Sequence, residues 1–148
     1  MKYINQLRME FMSVPDNVGL ARLTIAAFAS QLDYTVSEID DIKGAISEAV
    51  SNAIIHGYEG RPENMVRIIA SLTTRGLEVI VEDTGKGIEN VKEAMVSGYS
   101  SVPERLGLGF SFMQSFMDEV TVISEPMKGT RVIMFKQLGG RRDHACEN

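Results

Sequence analysis

Residues 37–56 set the tightest limit on how this chain can fold. Ile39, Ile42, Ile46, Ala49, Val50 and Ala53 recur at helical spacing and form one apolar stripe, which predicts a single long helix with one buried face. Gly57 supplies a C-cap, and Gly60-Arg61-Pro62 stops the helix. Glu48, Asn52 and His56 stand on a second stripe, rotated from the first, so that a carboxylate and a carboxamide point the same way. A helix of this kind needs a surface to cover, and the remaining chain supplies strands. Residues 4–13 alternate loosely as a strand. Residues 65–72 and 77–82 form a hairpin through Thr73-Thr74-Arg75-Gly76, and residues 119–124 and 130–137 form another through Glu125-Pro126-Met127-Lys128-Gly129. Further helices are expected over 17–32, 90–96 and 109–117. The fold class is therefore α+β: a two-layer α/β sandwich whose mostly antiparallel mixed sheet carries helices on one face.

A chain of 148 residues suits one domain, expected over residues 1–138 with a disordered tail over 139–148. The net charge of −5 argues against non-specific binding to nucleic acid or to an anionic membrane. No apolar run is long enough to span a bilayer, and the first residues lack the apolar stretch of a signal peptide. Cys146 is the single cysteine, which excludes an internal disulfide and makes the cytoplasm the expected location. One cysteine and two distant histidines argue against a structural zinc site.

Three motifs carry the chemistry. In Glu48-Ala-Val-Ser-Asn52, the Asn52 carbonyl together with phosphate oxygens makes a credible magnesium shell, because Mg²⁺ prefers oxygen ligands and keeps several waters. Glu48, one turn away, can hold a water or take a proton from an attacking hydroxyl. The same pair also suits a plain solvated helix face. In Asp83-Thr-Gly85-Lys-Gly87, an acid at a strand end can accept a hydrogen bond from the exocyclic amine of adenine, and the glycines let the backbone come close. An ordinary Asp-x-Gly turn has the same pattern. In Arg105-Leu-Gly107-Leu108-Gly109, a Gly-x-Gly opening a helix can turn N–H groups towards phosphate, with Arg105 within reach of the same anion. Neither a P-loop nor a Rossmann fingerprint is present.

Together these residues resemble the ATP-binding (Bergerat-type) fold shared by gyrase, a heat-shock chaperone, histidine kinases and MutL. Glu48-x-x-x-Asn52 matches its N box, Asp83-x-Gly85-x-Gly87 its first glycine box and Gly107-Leu108-Gly109 its second, while Thr130 after Lys128-Gly129 matches a Gly-Thr that helps bind adenine. Within that superfamily the chain is similar over nearly its whole length to the anti-sigma-F family of endospore-forming bacteria, most tellingly in residues 21–28, 47–58 and 116–120. Ser51, Val102 and Leu106 depart from the pattern. The resemblance implies a protein serine kinase using ATP and Mg²⁺. It makes Glu48 the base, Asn52 the metal ligand and Asp83 the adenine reader, with His56, Gly57, Gly85, Gly87, Arg105, Gly107, Leu108, Gly109 and Thr130 at the nucleotide. It also implies three partners: a sigma factor of the sigma-F type, an anti-anti-sigma protein phosphorylated on serine, and a second copy of the chain as a homodimer.

One surface stands out without the resemblance. The helix over 17–32 has Arg22 as its only charge inside, and Leu20, Leu23 and Ala27 lie off its Ala21/Ile25/Phe28/Leu32 stripe. Such a helix is either buried on two faces or meets another chain, and the resemblance favours docking through Arg22. Two other readings share these residues: a general-stress-type anti-sigma kinase with a different sigma factor, and a nucleotide-gated sigma-binding module without kinase activity.

Overall fold

The computed structural model describes residues 2–95 and 104–139, the side chains of 104–108 excepted. The tail beyond 139, Cys146 and Val102 lie outside the described residues, as do the side chains of Arg105, Leu106 and Leu108. Five strands, β1 (Tyr3–Met12), β2 (Met65–Thr73), β3 (Gly76–Asp83), β4 (Glu119–Glu125) and β5 (Gly129–Gln137), form one sheet in the order β1-β2-β3-β5-β4. All four pairings are antiparallel. Period-two alternation aims Val66, Ile68, Ala70 and Leu72 of β2, and Leu77, Val79 and Val81 of β3, at the helices, where they are buried.

Helices α1 (Asp16–Ala29), α2 (Val36–Asn52), α3 (Val91–Ala94) and α4 (Glu104–Phe116) cover one face of the sheet. Asp16 is the first-turn acid of α1. Thr35 caps α2 in a capping box: its hydroxyl accepts the Glu38 N–H at 3.1 Å, while the Thr35 N–H donates to the Glu38 carboxylate at 2.8 Å. The apolar stripe of α2 is buried as expected, with Ile42, Ile46 and Val50 fully enclosed between the sheet and the neighbouring helices.

The helix expected to run to His56 changes its winding near its end. Ala53–Gly57 form a single π turn, a form that recurs at functional sites. The last helix also departs from expectation, because it starts at Glu104 and not at 109. Gly107 and Gly109 therefore lie within α4 and not ahead of it.

Candidate functional site

The three motifs meet at one end of the sheet, where α2 and its π turn cross the ends of β3 and β5. Asn52, His56, Gly57, Asp83, Phe110 and Thr130 line one small cavity there. Val81, Val132 and Ile88 complete its apolar wall. The cavity measures about 20 Å³, room for about one water.

Asp83 ends β3 on the helix-facing side and is 8 % exposed. It pairs in register with Thr130 of β5. Its Oδ1 accepts the Gly85 N–H at 2.9 Å, and its carboxyl also takes the backbone N–H of Thr130. Burial pushes its pKa from 3.8 up to about 6, and those two N–H bonds oppose the rise without cancelling it. The result is a desolvated carboxylate, fixed in direction and still short of donors. Gly57 is required beside it, because a Cβ at 57 would sit 2.7 Å from Asp83 Oδ1. The Gly57 carbonyl accepts the Lys86 N–H at 2.9 Å, which ties the end of α2 to the Asp83–Gly87 loop. Gly87 has a φ of +74°, whereas Gly85 has no positive φ and serves close approach instead, since a Cβ there would meet the Gly57 carbonyl.

Asn52 is also 8 % exposed, and its Nδ2 is buried without a hydrogen-bond partner among the described residues. Such an orphaned group is costly unless something else binds there. Since amide nitrogen and oxygen are assigned by their surroundings, the same side chain can turn an oxygen to a cation or a nitrogen to a phosphate. No group of three or more His, Cys, Asp or Glu able to hold a metal occurs among the described residues. A divalent ion here would take Asn52 as its protein ligand and phosphate and water oxygens for the rest, which is how Mg²⁺ is commonly held. Glu48, one turn earlier, is half-buried on the same side of α2.

Gly109 explains why α4 approaches α2 so closely. A Cβ there would lie 2.8 Å from Asn52 Nδ2 and 3.2 Å from Glu48 Oε2. As the sixth residue of α4, Gly109 lies past the first turn, where unspent N–H groups are found. Its position therefore favours close packing over the anion-facing N–H expected from sequence, and Gly107 stands at the edge of that first turn. The backbone of Arg105 and Leu108 lies in the same two turns.

Sequence reasoning missed Phe110, Ile88, Tyr58 and Ser124 as parts of this site. Phe110 was legible only as a helical core position. Tyr58 and Ser124 act through backbone contacts that no motif records. Arg22 stands apart, exposed on α1 with Leu20 and Leu23, which are 51 % and 60 % exposed, and with Ala27. This face is not buried in the core. No helix among the described residues is long and apolar enough to cross a membrane.

The model of the histidine kinase-like ATPase domain family matches residues 11–136. An anti-sigma F factor of Clostridium kluyveri is 52 % identical over 136 residues, spanning 90 % of this chain and 95 % of that protein. Those of Clostridium perfringens and Shouchella clausii are each 48 % identical over 90 % of this chain, covering 97 % and 93 % of their own lengths. Among solved structures, the RsbU and RsbW domains of a Mycobacterium tuberculosis protein superpose with a TM-score of 0.66 at 19 % identity, over 90 % of this chain and 32 % of that one. The histidine kinase domain of a blue-light-activated kinase from Erythrobacter litoralis gives 0.60 at 20 % identity, over 87 % and 63 %. At these identities the two structures speak to the fold.

Proposed function

Since the chain belongs to the histidine kinase-like ATPase family, and within it to the anti-sigma F factors, we propose that it binds Mg-ATP at the end of the sheet where these residues converge, sequesters a sigma factor of the sigma-F type, and phosphorylates a serine of that factor's anti-anti-sigma antagonist. The observation that carries the nucleotide assignment is the convergence of a buried, donor-poor Asp83 and an orphaned Asn52 amide on one cavity. Asp83 accepts the exocyclic amine of adenine, with Thr130 beside it at the base edge. Asn52 ligates magnesium, which when bound neutralises phosphate charge. His56, Gly57, Gly85 and Gly87 shape the purine side, Arg105, Gly107 and Leu108 meet the phosphates, and Gly109 lets α4 close on Asn52. The functional unit is residues 1–138, acting as a homodimer in the cytoplasm, with Arg22 in the docking face.

Glu48 is the base. It takes the proton of the substrate serine as the serine oxygen bonds to the γ-phosphorus and ADP leaves with the bridging oxygen. Transfer of this kind rests mainly on positioning and charge neutralisation, and general-base help adds about 10²–10⁴-fold. Glu48→Ala is therefore expected to bind Mg-ATP like wild type and to lose at least about 100-fold in transfer of labelled γ-phosphate to the anti-anti-sigma protein. Equal labelling by both proteins would remove Glu48 from the chemistry. No labelling by wild type, with nucleotide and sigma factor still bound, would leave a nucleotide-gated binding module.

A further inference from the structure

The loop from Asp83 to Ile88 belongs to no helix, and past Asp83 to no strand, so its backbone must find partners elsewhere. Four of its N–H groups and one carbonyl have identified partners. The Thr84 N–H donates to Tyr58 Oη at 2.8 Å, Gly85 to the Asp83 carboxylate, Lys86 to the Gly57 carbonyl, and Ile88 to Ser124 Oγ at 2.8 Å. The Lys86 carbonyl accepts the Met127 N–H from the β4–β5 turn. Two side chains outside the loop thus fasten its ends from opposite sides. Tyr58 is 2 % exposed, and its hydroxyl is anchored by donating to the Met65 carbonyl of β2. Ser124 is anchored on β4 by its 2.9 Å bond to the Gly129 carbonyl and a 2.8 Å hydroxyl pair with Thr130.

We propose that Tyr58 and Ser124 are positioning residues that make this loop rigid enough for Asp83 to select adenine over guanine. The proposal rests on the reading of Asp83 as the base reader. A carboxylate favours the amine of adenine and repels the carbonyl oxygen that guanine presents at the same place, but only if it cannot swing aside. A loop free to relax would move the charge away from guanine and give up the adenine bond, and specificity is the difference between those two energies. Tyr58 and Ser124 remove that freedom in advance, one from the end of α2 and one from the β4–β5 hairpin. Neither is placed to touch the base itself through the bonds described.

The test is a titration of the full chain with Mg-ATP and with Mg-GTP, for wild type, Tyr58→Phe, Ser124→Ala and Ser124→Thr. The ratio of the two affinities reads the base edge alone, because the phosphate contacts are common to both nucleotides. Each hydroxyl deletion should lower the preference for ATP about three- to tenfold, the scale of one hydrogen bond, with GTP affinity held or raised. Ser124→Thr, which keeps the hydroxyl, should stay within about twofold of wild type. An unchanged ratio in the deletion variants, including equal weakening of both nucleotides, would make these residues merely structural and overturn the proposal. If one variant fails to fold, the other decides. A wild type with no preference for ATP would instead overturn the reading of Asp83.

Discussion

At the scale of single residues, Asp83, the proposed base reader, shows how such a group can be a liability to the fold that holds it. Ionising at about 6 instead of 3.8, it costs on the order of 3 kcal/mol when charged, since each pKa unit is about 1.4 kcal/mol. The raised value means that this group's contribution to stability is fully present below pH 3.8 and is lost as pH rises through about 6. Under the proposed reading, adenine selection runs the other way, because the carboxylate accepts the adenine amine more strongly than a neutral carboxyl, whose O–H can instead donate to the guanine carbonyl. Affinity for ATP relative to GTP should therefore fall as pH drops from 7.5 to 5, approaching about tenfold per pH unit below 6. Taking the ratio cancels the titration of the phosphates. Asp83→Asn should weaken ATP binding at least about tenfold and flatten this acid limb. A ratio constant across that range would show that the carboxyl does not read the base.

At the scale of elements, the approach of α4 to α2 decides whether the site holds its shape. Gly109→Ala puts a methyl group 2.8 Å from Asn52 Nδ2, closer than carbon and nitrogen pack, so either α4 retreats or Asn52 turns. Alanine is the better helix former, so an exposed glycine replaced this way would gain about 0.5–1 kcal/mol. Here the contact wins, and Gly109→Ala should lose Mg-ATP affinity at least about tenfold without gaining thermal stability. A more stable variant with intact affinity would mean that the two helices are not in close contact. The same helix marks where the sequence was hard to read. The stripe of Ile42, Ile46 and Val50 and both hairpins were legible because one period ran unbroken through each. The start of α4 was not, because Gly107 and Gly109 read as turn residues until the close approach of α2 to Gly109 is known. The π turn at Ala53–Gly57 has no periodicity signal of its own, and it arises where Gly57 has to meet Asp83 and Gly85. Tyr58 and Ser124 escaped for a related reason, since the loop N–H groups they hold, those of Thr84 and Ile88, are distant in sequence.

At the scale of the whole molecule, the proposed nucleotide site and the α1 face are separate surfaces joined through α2. The cavity is walled by α2, the π turn, β3, β5 and α4, and α1 supplies none of its described lining. Helix α1 instead packs Ala21, Ile25 and Phe28 inward and leaves Leu20, Leu23 and Ala27 outside with Arg22 among them. Exposing apolar side chains around one charge costs nothing when a partner covers them, and the charge then sets orientation and encounter rate more than bulk affinity. Reversing it should be more damaging than removing it. Arg22→Glu is expected to weaken the complex with the sigma factor or with the anti-anti-sigma protein at least about tenfold, and Arg22→Ala less, with Mg-ATP affinity within about twofold of wild type in both. Gel filtration of the mixed proteins reads the first quantity and a nucleotide titration the second. Intact complexes with Arg22→Glu would move the docking face elsewhere. A parallel loss of ATP affinity would mean that the two surfaces are coupled through α2, so that occupancy of one is felt at the other.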